Sequence, residues 1–179
     1  MNSAPAGKTE YYMGIHETYT SLAELINRGG IYHDVQGTTI REAINALIVS
    51  VPSLRTVQAD KLLQAVLERE ALMSTSIGHG IALPHPRNPL ITNDSEQFTA
   101  LAFLKNPMDW NSLDGEKADT VFLIVSSSAK QHLHTLSEIN FFCRKEDFRR
   151  LLREHTRPGD ILNYIKETEI NWKQETNNQ

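Results

Sequence analysis

The run STSIGHGIALPHPR, Ser74 to Arg87, concentrates the groups that could do chemistry. His85 stands between Pro84 and Pro86. Both prolines lack the N–H that a sheet ladder needs, so the apolar run Ile81-Ala82-Leu83 has to end there. The imidazole is thereby held at a strand end. With an ordinary pKa of about 6.5 it is mostly neutral near pH 7 and hence nucleophilic, and the fixed charge of Arg87 suits a reaction with an anion. A histidine between prolines also serves as a plain turn residue, so the rest of the chain has to separate the two roles.

Just upstream, Ser74, Thr75 and Ser76 offer three hydroxyls, and Gly78 and Gly80 flank His79 in a tight loop that could close on a phosphate. Such hydroxyls equally serve turn hydrogen bonds. If His85 carries a phosphoryl group, little covalent machinery is required. The transition state is loose, its charge lies on the equatorial oxygens, and catalysis is the placing of donors and cations. Arg69 and His132 could supply these. Arg69 ends a helix predicted from Val57, in step with Leu62 and Val66, and His132 falls in the first turn of another, where helix N–H groups favour anions. Read alone, Arg69 would also complement its own helix dipole or pair with Glu68 or Glu70.

Other chemistries fit less well. Of the seven histidines, His132 and His134 are about 200° apart on a helix and cannot share one ion. No His-Glu-x-x-His or Cys-x-x-Cys spacing is present. There is no Gly-x-Ser-x-Gly elbow, and Cys143, the one cysteine, lies on the apolar face of its predicted helix. Gly78-His79-Gly80 lacks the length and third glycine of a nucleotide-binding loop.

Capping and periodicity predict the elements that must hold these residues. Ser21 with Glu24, Thr39 with Glu42 and Ser128 with Gln131 are capping-box pairs. They open helices over Leu22–Arg28, from Thr39 to about Val49, and along HLHTLSEINFFCR, while Thr56 caps the helix that ends at Arg69. Ile40, Ile44 and Leu47 share one face of the second helix, and Leu133, Leu136, Ile139, Asn140 and Cys143 trace the largely apolar face of the later one. Ile31 to Val35 reads as a strand, as does Phe98 to Leu104, which Asn106-Pro107 should end. The continuous apolar run TVFLIV, Thr120 to Val125, is expected at the centre of a sheet. His132 therefore lies in the first turn of a helix after a central strand, where ligands bind in open α/β sheets. Helices over Glu146–His155 and Asp160–Thr168 follow.

A chain of 179 residues that is 40% hydrophobic can bury a single core. Its net charge of −4 gives no basic footprint for nucleic acid, and no run approaches a membrane span. MNSAPAGKTE lacks the apolar segment of a secretory signal, which together with one unpaired cysteine points to the cytoplasm. Residues 1–19 read as a flexible arm, 20–170 as the domain and 171–179 as a polar tail.

Arg69-Glu70, then STSIGHGIALPH, then Pro107-Met108-Asp109-Trp110 with Asp114-Gly115, then VFLIV and His132-Leu133 with Leu136, occur in one order. This pattern resembles the fructose/mannitol/nitrogen-type enzyme IIA domain of the phosphoenolpyruvate-dependent sugar phosphotransferase system, over about Ser21 to Lys166. The resemblance implies an α/β fold, a mixed β-sheet with helices on both faces, and a phosphorylated histidine at His85. Arg69 and His132 would steady the phosphoryl group. The donor would be the histidine phosphocarrier HPr or its nitrogen-branch counterpart, and the partner enzyme IIB or a regulatory target, with no metal or organic cofactor. A nitrogen-type regulator, a transport subunit and a binding module that no longer takes up phosphate are the functions it leaves open. Pro86 stands where that family usually has glycine, and His79 where asparagine is common.

Overall fold

The apolar run at Thr120 to Val125 lies near the middle of a five-stranded sheet. In the computed structural model, which describes residues 19–52, 54 and 59–177 (of 172–177 the helix backbone only), the strands are β1 (Ile31–Val35), β2 (Ser76–Gly78), β3 (Ile81–Ala82), β4 (Phe98–Met108) and β5 (Ala118–Val125). Their order across the sheet is β1-β4-β5-β3-β2. β1 runs parallel to β4 and β3 parallel to β5, whereas the β4–β5 and β2–β3 pairs are antiparallel. The sheet is mixed, as the resemblance implied.

Among the described residues six α-helices cover it: α1 (Leu22–Gly29), α2 (Ile40–Ser50), α3 (Ala59–Leu72), α4 (Ala129–Cys143), α5 (Glu146–Arg153) and α6 (Pro158–Asn177). The period of two in the strands decides which helices each face receives. Ala100, Ala102 and Leu104 of β4 with Val121, Leu123 and Val125 of β5 meet Ile44, Leu47, Leu62 and Val66 of α2 and α3. The alternate residues Leu101, Phe103, Phe122 and Ile124 meet Leu22, Ile26, Ile139, Phe142, Phe148 and Ile161 on the other side. All three expected caps form: Ser21, Thr39 and Ser128 accept the N–H of Glu24, Glu42 and Gln131. Among the described residues, no helix is long and apolar enough to cross a membrane.

Several expectations need correction. β4 does not stop at Asn106-Pro107 but reaches Met108, which pairs with Ala118 after a register shift. A proline is tolerated there because the shifted stretch, Lys105 to Pro107, is exposed and irregular, so no ladder bond depends on its missing N–H. The buried face of α4 is rotated from the expected one. Leu133 is 67% exposed and Asn140 is exposed, while Gln131, Thr135 and Glu138 join Ile139, Phe142 and Cys143 inside. The inward polar groups explain the rotation: the Gln131 amide donates to the Thr20 carbonyl and Thr135 Oγ1 and accepts the Thr20 N–H. Periodicity of apolar residues cannot register that network. α3 extends to Leu72 rather than Arg69, and α6 continues to Asn177, so the expected polar tail is mostly helical. The Thr56 cap lies outside the described residues, as does the arm except Tyr19, whose ring stacks on His134 at 4.4 Å.

The end of α1 packs directly on β4. A methyl group at Gly29 would sit 2.3 Å from the Thr99 carbonyl oxygen and 2.8 Å from the Ala100 nitrogen, both backbone atoms that cannot swing aside. Gly29→Ala is therefore expected to destabilise the fold by ~1–3 kcal/mol, read as a lower urea midpoint with an unchanged m-value.

Candidate functional site

β3 ends in a backbone clamped from both sides. Leu83 N–H donates to the Thr75 carbonyl and Ile124 N–H donates to the Pro84 carbonyl, each at 3.0 Å. His85 follows immediately, only 8% exposed between two buried prolines. Its Nδ1 lies 2.7 Å from the Leu83 carbonyl oxygen. A carbonyl can only accept, so Nδ1 carries the proton and Nε2 keeps its lone pair. Burial holds the His85 pKa below the ordinary imidazole value, Arg69 adds to the lowering, and the Leu83 hydrogen bond and Glu70 work against it. The ring is thus held as a neutral imidazole.

The first turn of α4 brings His132 beside it, with ring centroids 4.6 Å apart and planes inclined by 47°. Burial, the His85 ring and the Arg69 charge push the pKa of His132 down to about 4. It stays neutral near pH 7 and offers one N–H. Arg69, in the last turn of α3, donates from Nη1 to the Met73 carbonyl at 2.9 Å while its charge reaches both imidazoles. Its helix-capping role and its place at the histidines coexist. The His85, Arg69 and His132 expected from sequence are brought together.

The other expected members divide. Ser74 Oγ donates to the Trp110 carbonyl, Thr75 gives its N–H (2.8 Å) and hydroxyl (2.5 Å) to the Glu70 carboxylate, and Ser76 Oγ donates to the Ile81 carbonyl. The first two hydroxyls serve the passage from α3 into β2, and the third ties β2 to β3. Gly78, His79 and Gly80 form the β2–β3 turn, with φ of 84°, 55° and 73°. The Gly80 carbonyl accepts from Asp119 and Thr120 at the start of β5, whereas Pro84 is bonded to Ile124 near its end. At ~3.3 Å per residue this places the turn ~15 Å from His85 along the strand, so it does not close on the same group. It is instead fixed by Asp114, whose carboxylate accepts the His79 N–H at 2.9 Å. The Ser112 hydroxyl and the N–H groups of His79 and Glu116 hold the pKa of Asp114 down to about 2.

Among the described residues, the group that could hold a metal is His79, Asp114 and Glu116, with donor atoms within 4.8 Å of one another, all exposed and at this far end of β5. His134 faces Glu138 and Tyr19, away from His132. Burial pushes the Cys143 thiol up to about 12, so it is packing and not a nucleophile.

Two hollows border the loop that follows His85, both lined by Arg87 and Asn88. One, of about 110 Å³, is lined by Pro86, Arg87, Ser126, Ala129 and His132. The other is an open cleft of about 640 Å³ bordered by Glu68, Arg69, Leu72, Arg87 and Leu90. Sequence reasoning passed over Ser126 and gave Glu70 no role beyond pairing with Arg69. The five-residue step from Glu70 to Thr75 was the signal for that contact. Ser126 carried no signal, because only the fold brings the end of β5 to the His85 loop.

Residues 24–168 match the family described as phosphoenolpyruvate-dependent sugar phosphotransferase system, EIIA 2. The fructose-specific EIIABC component of Bacillus subtilis is 29% identical over 153 residues, 82% of this chain but 23% of that longer protein. A nitrogen regulatory protein of Bradyrhizobium diazoefficiens is 27% identical over 134 residues, 74% of this chain and 86% of the relative. The crystal structure of nitrogen regulatory protein IIA-Ntr from Neisseria meningitidis shares the fold with a TM-score of 0.63 at 20% identity, over 73% of this chain and 88% of that one. So does enzyme IIA of mannitol from Escherichia coli, solved in complex with phosphorylated enzyme IIB, with a TM-score of 0.54 at 19% identity over 78% and 95% of the two chains. With a profile match over most of its length and the mixed sheet of these structures, the chain belongs to the EIIA 2 family of the phosphoenolpyruvate-dependent sugar phosphotransferase system.

Proposed function

We propose that the chain is a phosphoryl carrier that takes its phosphoryl group on Nε2 of His85 from an HPr-type histidine phosphocarrier. The observation that carries this reading is the Nδ1–H bond to the Leu83 carbonyl, which leaves a bare Nε2 lone pair beside His132 and Arg69. Nε2 attacks the phosphorus of the donor's phosphohistidine. A new N–P bond forms as the donor's N–P bond breaks, and that electron pair returns to the donor's imidazole. The proton stays on Nδ1, donated to the Leu83 carbonyl, throughout. Arg69 balances the charge on the transferred oxygens, and the neutral His132 donates its N–H to one of them.

The rim of the open cleft supports a protein partner. Leu72, Met73 and Leu90 are 66%, 72% and 40% exposed next to Arg69 and Arg87, an apolar collar around cationic groups. On the similarity to nitrogen regulatory proteins we take the partner to be a regulatory target read according to the phosphorylation state of His85. A second reading, transfer to a cysteine of enzyme IIB, is favoured by the fructose component and by the mannitol enzyme IIA solved with phosphorylated enzyme IIB. Saturable loss of the phosphoryl group to a IIB protein selects the second reading. A change in target affinity on phosphorylation, without such transfer, selects the first.

Incubation with phosphoenolpyruvate, enzyme I and HPr should add one acid-labile phosphoryl group by intact mass, absent in His85→Ala. No adduct from a demonstrably phosphorylated HPr refutes the carrier role. Arg69→Ala should slow transfer by ~100-fold while lowering stability by no more than ~1 kcal/mol, the loss of one partly exposed carbonyl contact. The pH dependence follows from the lowered pKa of His85. Its nucleophilic form is the neutral one, so the transfer rate should stay level as pH falls through 6.5 and decline only below it. Stopped-flow transfer and the imidazole nitrogen shifts of His85 should report the same midpoint.

A further inference from the structure

The hollow between the His85 loop and α4 holds two polar groups with no partner. Ser126 is 6% exposed and lines the hollow, yet among the described residues no group hydrogen-bonds its hydroxyl. Arg87 lines it too, exposed at the surface, and no described residue makes an ion pair or hydrogen bond with its guanidinium. The hydroxyl keeps its donor available at the edge of the hollow, and an unpaired guanidinium offers up to five donors. Both face a space of about 110 Å³ onto which Ala129 and His132 of the first turn of α4 also open. Ser128 caps only the Gln131 N–H of that turn. The helix dipole there favours negative charge.

Three facts tie this space to the group on His85. Pro86, the next residue, forms part of its wall, and His132, whose ring lies against the His85 ring, forms another part. Arg69 is already engaged through Nη1 with the Met73 carbonyl. Pro86 has no N–H, so the backbone immediately after His85 cannot donate to a phosphoryl oxygen. A phosphoryl group has three strongly accepting oxygens. One partly engaged guanidinium and one imidazole N–H leave acceptor capacity unmet. Arg87 also borders the open cleft that contains Arg69, so it stands between the two hollows.

Building on the carrier reading, we infer that Arg87 and Ser126 complete the phosphoryl site. The Arg87 guanidinium and the Ser126 hydroxyl donate to the oxygens of the group on His85 that Arg69 and His132 leave unmet. Arg87 acts at the surface and closes on the group during transfer, while Ser126 is preplaced at the end of β5.

The test is single-turnover transfer from phosphorylated HPr to the full chain, comparing wild type with Arg87→Ala, Arg87→Lys and Ser126→Ala over a range of donor concentrations. Thermal melts of each variant control for folding. Arg87→Ala should lower the saturating rate by ~10-fold or more, the modest end of what a lost donor removes because Arg87 is exposed. Arg87→Lys should recover part of it, keeping the charge without the fork, and Ser126→Ala should lower it by a smaller factor. If Arg87→Ala reaches the wild-type saturating rate and only needs more donor, Arg87 is a docking residue and the inference is overturned while the carrier reading stands. If wild type takes up no phosphoryl group, the carrier reading falls and this inference with it. Titration of wild type with inorganic phosphate should shift the Arg87 Nε–H and Ser126 amide resonances together. Phosphate shifts confined to residues outside this hollow also overturn it.

Discussion

β5 lies inside the sheet with neighbours on both edges, and its apolar residues have to be covered on both faces. That requirement organises the site. One edge is satisfied by β4 along nearly its full length. The other edge is satisfied by a much shorter partner, two residues of β3 extended by the Gly80 and Pro84 carbonyls. The bond from Ile124 N–H to the Pro84 carbonyl is the last of these, and it fixes the residue before His85. The same strand end continues through buried Ser126 into the cap of α4, which delivers His132. Two imidazoles 4.6 Å apart are therefore positioned by one strand terminus, without long flexible connections between them.

Burial then sets the chemistry. Taking an imidazole out of water disfavours its charged form, and a neighbouring guanidinium disfavours it further. His85 and His132 both respond in that direction, His132 to about 4. The result is two neutral imidazoles beside permanent positive charge, a combination suited to the proposed receipt of a dianionic group. Glu70 tempers it: its negative charge acts on His85 while its carboxylate anchors Thr75 and so the turn entering β2. One acidic residue thus shapes both the local electrostatics and the path of the chain.

The far end of β5 shows how little of the surface shares this function. The β2–β3 turn has left-handed residues, a histidine and an acidic anchor, features that suggest a site when met in a linear sequence. In the fold those features hold a hairpin against the loop carrying Ser112 and Asp114. Gly78 and Gly80 are needed there for their positive φ, and Asp114 is ionised because three donors converge on it.

The sequence alone determined where most elements begin and singled out His85 as the proposed phosphoryl acceptor. Pro84 and Pro86 dictate where β3 stops, the Ser21, Thr39 and Ser128 caps dictate where helices begin, and TVFLIV can only be a buried strand; each is a local constraint of φ, hydrogen-bond capacity or solvation. These signals, with the ordered motifs from Arg69 to Leu136, made the family and the placing of His85, Arg69 and His132 legible. Tertiary structure alone decided the rest. The buried face of α4 follows Gln131 and Thr135 because the Gln131 amide bonds with Thr20, more than a hundred residues away in the chain, and with the Thr135 hydroxyl one turn on. Gly78-His79-Gly80 is parted from His85 because the four residues between them run extended beside β5, from Thr120 to Ile124. Ser126 and Arg87 meet across a hollow that exists only once the loop and the helix have packed. Spacing along a chain reports which groups an element can carry, but distances between elements are set by which surfaces exclude water together.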